Sequence, residues 1–167
     1  MSNYKIAIFM GSSSDADIMH DAVRFLNEME VPHFVTVTSA HRSPARTRRL
    51  IAEMEQAGVQ VFIVGAGGAA HLGGFVAAET TRPVIGVPLA ASALAGWDAL
   101  LATSQMPAGV PVATMAIGKA GAKNAAVLAC QILALQDEKL ADRMAEFKKK
   151  MEEEVAKSSA AVSNHRG

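Results

Sequence analysis

Val59 Gln60 Val61 Phe62 Ile63 Val64 runs directly into Gly65 Ala66 Gly67 Gly68 Ala69 Ala70 His71 Leu72 Gly73 Gly74, an apolar segment that empties into a loop with five glycines in ten residues. The first part has the β-branched and aromatic content of a buried strand. Glycine loses the most backbone entropy on folding and packs nothing in return, so a run this dense marks backbone at φ > 0 or in close contact with something. His71 is the only polar side chain in the loop. Two readings suit it: a cradle of bare amides with an imidazole at its rim, or a tight strand-to-helix turn. Strand-then-glycine loops that open helices favour the cradle, because helix N-termini bind anions.

On either side of this stretch the chain alternates strands and helices. Tyr4 to Met10 reads as a continuous apolar strand, followed by Gly11 Ser12 Ser13 Ser14 Asp15 as a source of helix caps and by Ile18, Ala22, Leu26 and Met29 at helical spacing. His33 to Thr38 is a second strand. After it, Ser39 Ala40 His41 Arg42 Ser43 leads to Pro44, placing proline at the first helical position behind a serine cap, and that helix ends at Gly58. Val84 to Val87 is a fourth strand with a helix around 94–102, and Val112 to Ile117 a fifth. A helix from about Ala122 to Leu135 is apolar almost all round, so it needs burial on every side, and a second subunit would supply it. Asp137 to Lys157 is charged but keeps Leu140, Met144, Phe147, Met151 and Val155 at three- and four-residue steps.

Five strands alternating with helices predict an α/β three-layer sandwich, a five-stranded parallel sheet of flavodoxin-like order with a C-terminal helical extension. The chain reads as a single domain over 1–167, with its core at about 4–136, the last helix at about 137–157 and a frayed tail at 158–167. In such sheets ligands bind beyond the carboxyl ends of the strands. The loops after the first three strands therefore share one site.

Composition bounds the function. Sixteen basic and sixteen acidic residues cancel, so the chain has no electrostatic footprint for nucleic acid or for an anionic membrane. Without a leader or a membrane-spanning apolar run, it is expected to be cytoplasmic. The lone cysteine, Cys130, lies in an apolar run and reads as a small buried hydrophobe, not a nucleophile. His41 and His71 lack partners at metal-ligand spacing, so no metal is expected. Gly65, Gly67 and Ala70 match the dinucleotide fingerprint only formally, since they follow the third strand and no acidic residue ends a second strand at the required distance. Gly118 Lys119 lacks the upstream spacing of a P-loop. The loop containing His41 and Arg42 is more telling, because it places a group that titrates near neutral pH beside a guanidinium able to grip phosphate through two bonds. A phosphorylated small molecule undergoing proton-transfer chemistry fits that combination.

Gly11 to Asp15, Ser39 to Arg42, Gly65 to Leu72 and Ala116 Ile117 Gly118 Lys119 Ala120 Gly121 together resemble the bacterial N5-carboxyaminoimidazole ribonucleotide mutases of purine biosynthesis, from about Lys5 to Leu135. The glycine loop resembles that class more than the related aminoimidazole ribonucleotide carboxylases. Gly73 departs from the pattern, in which proline follows the His-Leu pair. The resemblance implies transfer of a carboxylate from the exocyclic nitrogen to ring carbon four, without cofactor or metal, with His41 as the proton shuttle. It also implies that Ser14, Ser39 and Arg42 contact the phosphate and Asp15 the ribose. Ser12, Gly67, Gly68, Ala69, Ala70, His71 and Leu72 would then contact the base and its carboxylate, with Ala40 lining the site. The implied assembly is a homo-octamer. The rival readings are a carboxylase using free carbon dioxide and a non-catalytic phospho-ligand module.

Overall fold

A computed structural model describes residues 3–163. Five parallel strands, β1 (Ile6–Met10), β2 (His33–Val37), β3 (Val61–Gly67), β4 (Val84–Leu89) and β5 (Ala113–Thr114), form one sheet in the order β2-β1-β3-β4-β5. This is the flavodoxin-like order, in which the direction of winding reverses between β1 and β3. Helices α1 (Ala16–Glu28), α2 (Pro44–Gln56), α3 (His71–Glu79), α4 (Trp97–Ser104), α5 (Lys119–Ala134) and α6 (Glu138–Ser163) complete the chain. The described residues fall into two compact units, one reaching to Ala129 and the other starting at Cys130.

β1 and β4 are buried along their whole length and β3 up to its last residue, which is why these strands read as unbroken apolar runs. Alternate residues face opposite layers. Ala7, Phe9, Phe62, Val64 and Ala66 join Leu50, Ile51 and Met54 of α2, Leu72 and Val76 of α3 and Ala99 of α4 in one core. Phe9 and Phe62 meet there edge to face, with ring centroids 5.5 Å apart, a geometry that adds about 0.5–1.5 kcal/mol beyond area burial. On the other face Met19 of α1 lies over Gly65, where an added β-carbon would come within 2.6 Å of its sulfur.

Several boundaries differ from the sequence expectation. β3 continues to Gly67, because Gly65, Ala66 and Gly67 pair with Val87, Pro88 and Leu89 of β4. The first three residues of the expected loop are therefore strand, the last four open α3, and the turn proper is confined to Gly68–Ala70. Ser43 does not cap α2 with its side chain. Its hydroxyl instead donates to the Ser39 carbonyl at 3.3 Å and accepts from the Ser39 N–H at 3.2 Å. α4 starts at Trp97, not near Leu94, because Ala95 (φ 52°) and Gly96 (φ 87°) are left-handed and cannot belong to a right-handed helix. β5 shrinks to two residues. Beyond it only single bonds tie the segment to β4, from Met115 N–H to Gly86 and from Gly118 N–H to Pro88.

In the second unit Cys130 is fully buried, and burial pushes its thiol up to about 12 against a smaller opposing pull from Arg143. A thiol that stays protonated at physiological pH is no nucleophile. α6 runs on to Ser163 and does not end near 157. Ala160 and Ala161 are strong helix formers, and the Ser158 and Ser163 hydroxyls donate to carbonyls four residues back. The rest of the expected tail, 164–167, lies outside the described residues.

Candidate active site

The carboxyl ends of β1, β2, β3 and β4 meet around a cavity of about 430 Å³. Ser12, Ser14, Asp15, Ser39, Ala40, His41, Arg42, Gly67, Ala69, Ala70, His71 and Leu72 all line it, so the structure gathers twelve of the thirteen residues singled out above. Gly68 is not among the lining residues. Its role is conformational: at φ +59° it makes the turn, with no atom within 4 Å of where a β-carbon would sit.

The first wall follows β1. Ser12 opens a single 3-10 turn, Ser13–Asp15, as a capping box. The Ser12 N–H donates to Asp15 Oδ2 at 2.9 Å, and Ser14 donates its hydroxyl to Ser12 Oγ at 3.0 Å. Asp15 is only 7 % exposed, and this burial raises its pKa above the ordinary 3.8, opposed by the bonds from Ser12 and Ser14. A carboxylate held so is a poor choice for stability. Because the folded state binds the proton more tightly than the unfolded state does, stability falls as pH rises from 3.8 through the raised value, and above that the penalty is constant. Asp15→Asn keeps an acceptor for the Ser12 N–H and removes the buried charge. Its melting temperature at neutral pH should exceed wild type, and the difference should shrink in melts taken toward pH 3.8.

The second wall, after β2, is tied to itself. Buried Thr38 shares a 2.8 Å hydroxyl contact with Thr47, whose own oxygen lies 3.2 Å from the Ser39 carbonyl, and the Arg42 N–H donates to Ser39 Oγ at 3.1 Å. This network fixes the backbone while leaving the His41 and Arg42 side chains exposed. Arg42 reaches across to donate one N–H to the Gly11 carbonyl at 3.1 Å, bridging the first two walls. Its guanidinium carries further donors.

The third wall is the turn from β3 into α3. Ala70, a non-glycine at φ 46°, is the N-cap of α3 and is buried, so a left-handed alanine is held in place by its surroundings. His71 is the first helical residue. Its Nδ1 lies 2.6 Å from Nε2 of His41, the rings at 89°. A bond between two ring nitrogens requires a proton on one and a lone pair on the other, so one of the two facing nitrogens donates and the other accepts. The N–H groups of the first turn of α3 have no helical carbonyl to donate to and point out from the helix end beside these rings. Gly73, two residues further, is not sterically required, since a β-carbon there would meet Val112 and Thr103 at ordinary distances of 3.8 and 3.9 Å.

Gly11, Ala66 and Ala91 also line the cavity and were not singled out from the sequence. Gly11 and Ala66 sit inside quoted motifs. Ala91 follows the carboxyl end of β4, which the rule for open α/β sheets would have indicated. Lys119 pairs with Asp17 at 2.9 Å, holding the start of α5 to the first turn of α1 outside the cavity. Among the described residues no group of three or more His, Cys, Asp or Glu is arranged to hold a metal ion, and no helix is long and apolar enough to cross a membrane.

Fold and site define a flavodoxin-like α/β protein whose ligand cavity lies at the switch point, floored by glycine and alanine and edged by two histidines, an arginine and a serine-rich turn. Residues 5–154 match the model of the AIR carboxylase family, and the chain belongs to that family. It is 50% identical over 151 residues to the N5-carboxyaminoimidazole ribonucleotide mutase of Escherichia coli K12, covering 90% of this chain and 89% of that protein. The mutase of Bacillus subtilis is 49% identical over 92% of this chain and 95% of its own. That of Pyrococcus horikoshii is 48% identical over 90% and 86%. The crystal structure of Treponema denticola PurE superposes with a TM-score of 0.85 at 25% identity, over 94% of this chain and 97% of that one. The resemblance read from the four sequence motifs and the flavodoxin-like fold are thus both supported.

Proposed function

We propose that this protein converts N5-carboxyaminoimidazole ribonucleotide to 4-carboxy-5-aminoimidazole ribonucleotide in purine biosynthesis. The observation that carries the reading is the single cavity in which His41, beside the glycine floor, faces the turn of Ser12, Ser14 and Asp15 and the guanidinium of Arg42. In the first half-reaction the bond from the exocyclic nitrogen to the carboxyl carbon breaks, its electron pair stays on nitrogen, and His41 donates a proton there. The products are carbon dioxide and neutral 5-aminoimidazole ribonucleotide. In the second, ring carbon four attacks carbon dioxide, and His41 takes the proton that this carbon then loses. One imidazole serves both steps because it ends as it began.

The remaining residues bind and orient. Ser14, Ser39 and Arg42 hold the phosphate, Asp15 the ribose hydroxyls, and Ser12, Gly67, Ala69, Ala70, His71 and Leu72 the base and carboxylate. Backbone amides at a helix start suit a carboxylate without bringing in a competing proton donor. A floor of glycine and alanine leaves room for a small gas and excludes water, so recombination stays effectively unimolecular. The whole chain acts as one mutase domain in the cytoplasm, as a homo-octamer in which partner subunits cover the exposed Leu94, Trp97 and Leu101.

Conversion of the N5-carboxy compound by purified protein without ATP, biotin or added metal, unaffected by chelators, is the expected result. Binding without turnover would replace the enzyme reading with the binding-module one. Arg42→Lys should weaken ribonucleotide binding by about tenfold or more while leaving a phosphate-free nucleoside analogue nearly unaffected, since lysine offers a point charge in place of a planar fork. Titration calorimetry with both ligands checks this, and equal losses would take Arg42 off the phosphate.

A further inference from the structure

The segment between β4 and α4 closes on itself as a strap. The Ala91 N–H turns back to the Leu89 carbonyl at 3.0 Å, Ser92 donates its hydroxyl to Asp98 at 2.7 Å and accepts the Leu94 N–H at 3.1 Å. At its far end Gly96 comes so near Ala90 that a β-carbon would lie 3.3 Å from the Ala90 Cα, and 2.8 Å from Ile117. Two left-handed residues in succession, Ala95 and Gly96, complete the turn. The strap is therefore fixed at both ends, and it gives the cavity one group, Ala91. That residue stands against the barest part of the floor. A β-carbon on Gly67 would fall 2.5 Å from the Ala91 methyl and 3.6 Å from its Cα, so the methyl occupies the space that a side chain at position 67 would have taken.

We propose that Ala91 is a specificity-determining residue whose methyl group sets the size of the compartment that holds the carboxylate and the carbon dioxide between the two half-reactions. This rests on the mutase reading above. Gly67 leaves a space beside the amides of the glycine turn, and the Ala91 methyl takes up part of it. A larger side chain fills that space and excludes the carboxylate while leaving the ring, ribose and phosphate positions open. A smaller one admits water and gives carbon dioxide a way out. Because Ala91 is exposed and its strap is held by other residues, substitutions there leave the fold in place, which thermal melts verify.

The test compares two ribonucleotides that differ only in the carboxyl group. In Ala91→Val, affinity for 4-carboxy-5-aminoimidazole ribonucleotide should drop by about tenfold or more, while that for 5-aminoimidazole ribonucleotide should change by less than about twofold, in line with what one or two methyl groups do in a hydrophobic pocket. In Ala91→Gly, conversion of substrate labelled in its carboxylate, run in excess unlabelled bicarbonate, should lose more label to solution per turnover than wild type does. Equal losses for both ligands in the valine variant, or no change in either variant, overturn the role of Ala91 and leave the mutase reading standing. A wild-type protein that binds neither ribonucleotide overturns that reading, and this role with it.

Discussion

His41→Asn should lower turnover by about 10²- to 10⁴-fold while fold, assembly and ribonucleotide affinity stay near wild type. Asparagine keeps a planar polar group on a shorter side chain but cannot exchange a proton near neutral pH. Because the His41 side chain is exposed and its loop is held by Thr38, Thr47, Ser39 and Ser43, nothing structural depends on the imidazole. The asparagine amide ends short of the Nε2 position, so the 2.6 Å contact with His71 is lost in the variant, and unchanged ribonucleotide affinity is the reading that separates a missing proton carrier from a displaced neighbour. Steady-state kinetics with calorimetric binding checks this. Activity within about tenfold of wild type would remove His41 from the proton-transfer role.

Gly121→Ala should be the most damaging single-methyl change in the first unit. A β-carbon at this position would lie 1.6 Å from the Ala116 carbonyl oxygen and 2.7 Å from its carbon. Those are backbone atoms, and no side-chain rotation relieves the overlap. Either the first turn of α5 or the segment leaving β5 must move, and Gly118, whose N–H donates to the Pro88 carbonyl at 3.0 Å, would be pulled off the end of β4. Overpacking of this kind usually costs about 1–3 kcal/mol, and the backbone overlap places the expected loss at or above about 3 kcal/mol. Denaturant melts measure it. Gly73→Ala is the internal control: there the added carbon finds only ordinary contacts, so the same methyl should leave stability nearly unchanged.

The two glycines show where sequence reading stops. Both sit in glycine-rich motifs, and nothing local separates a glycine that a carbonyl from an earlier segment presses against from one whose added carbon would meet only ordinary contacts. The same holds within the loop around His71. Density of glycine marked it as special, but Gly65 is bare because of Met19, Gly67 because of Ala91, and Gly68 because of its left-handed φ, three causes with one sequence signature. The left-handed Ala70 had no signature at all, since alanine there looks like any small residue.

Much was determined along the chain itself. Continuous apolar runs at 6–10, 61–64 and 84–87 make the central strands legible, because burial on both faces leaves no room for a polar alternation. Glycine, serine and proline at the strand ends located the loops, and the βα alternation with right-handed crossovers brought those loops to one edge. Hence the chain order alone places Ser12, Asp15, Ser39, His41, Arg42 and His71 in one site. What only the tertiary structure decided were relations between segments distant in sequence. Examples are the contact between the His41 and His71 rings, the reach of Arg42 to Gly11, the seating of Ala91 on Gly67 and the burial that raises the pKa of the Asp15 carboxyl. Each depends on distances of a few ångströms between elements. Periodicity and propensity constrain a residue and its near neighbours, whereas those distances are set by how the whole sheet twists and how its helices pack.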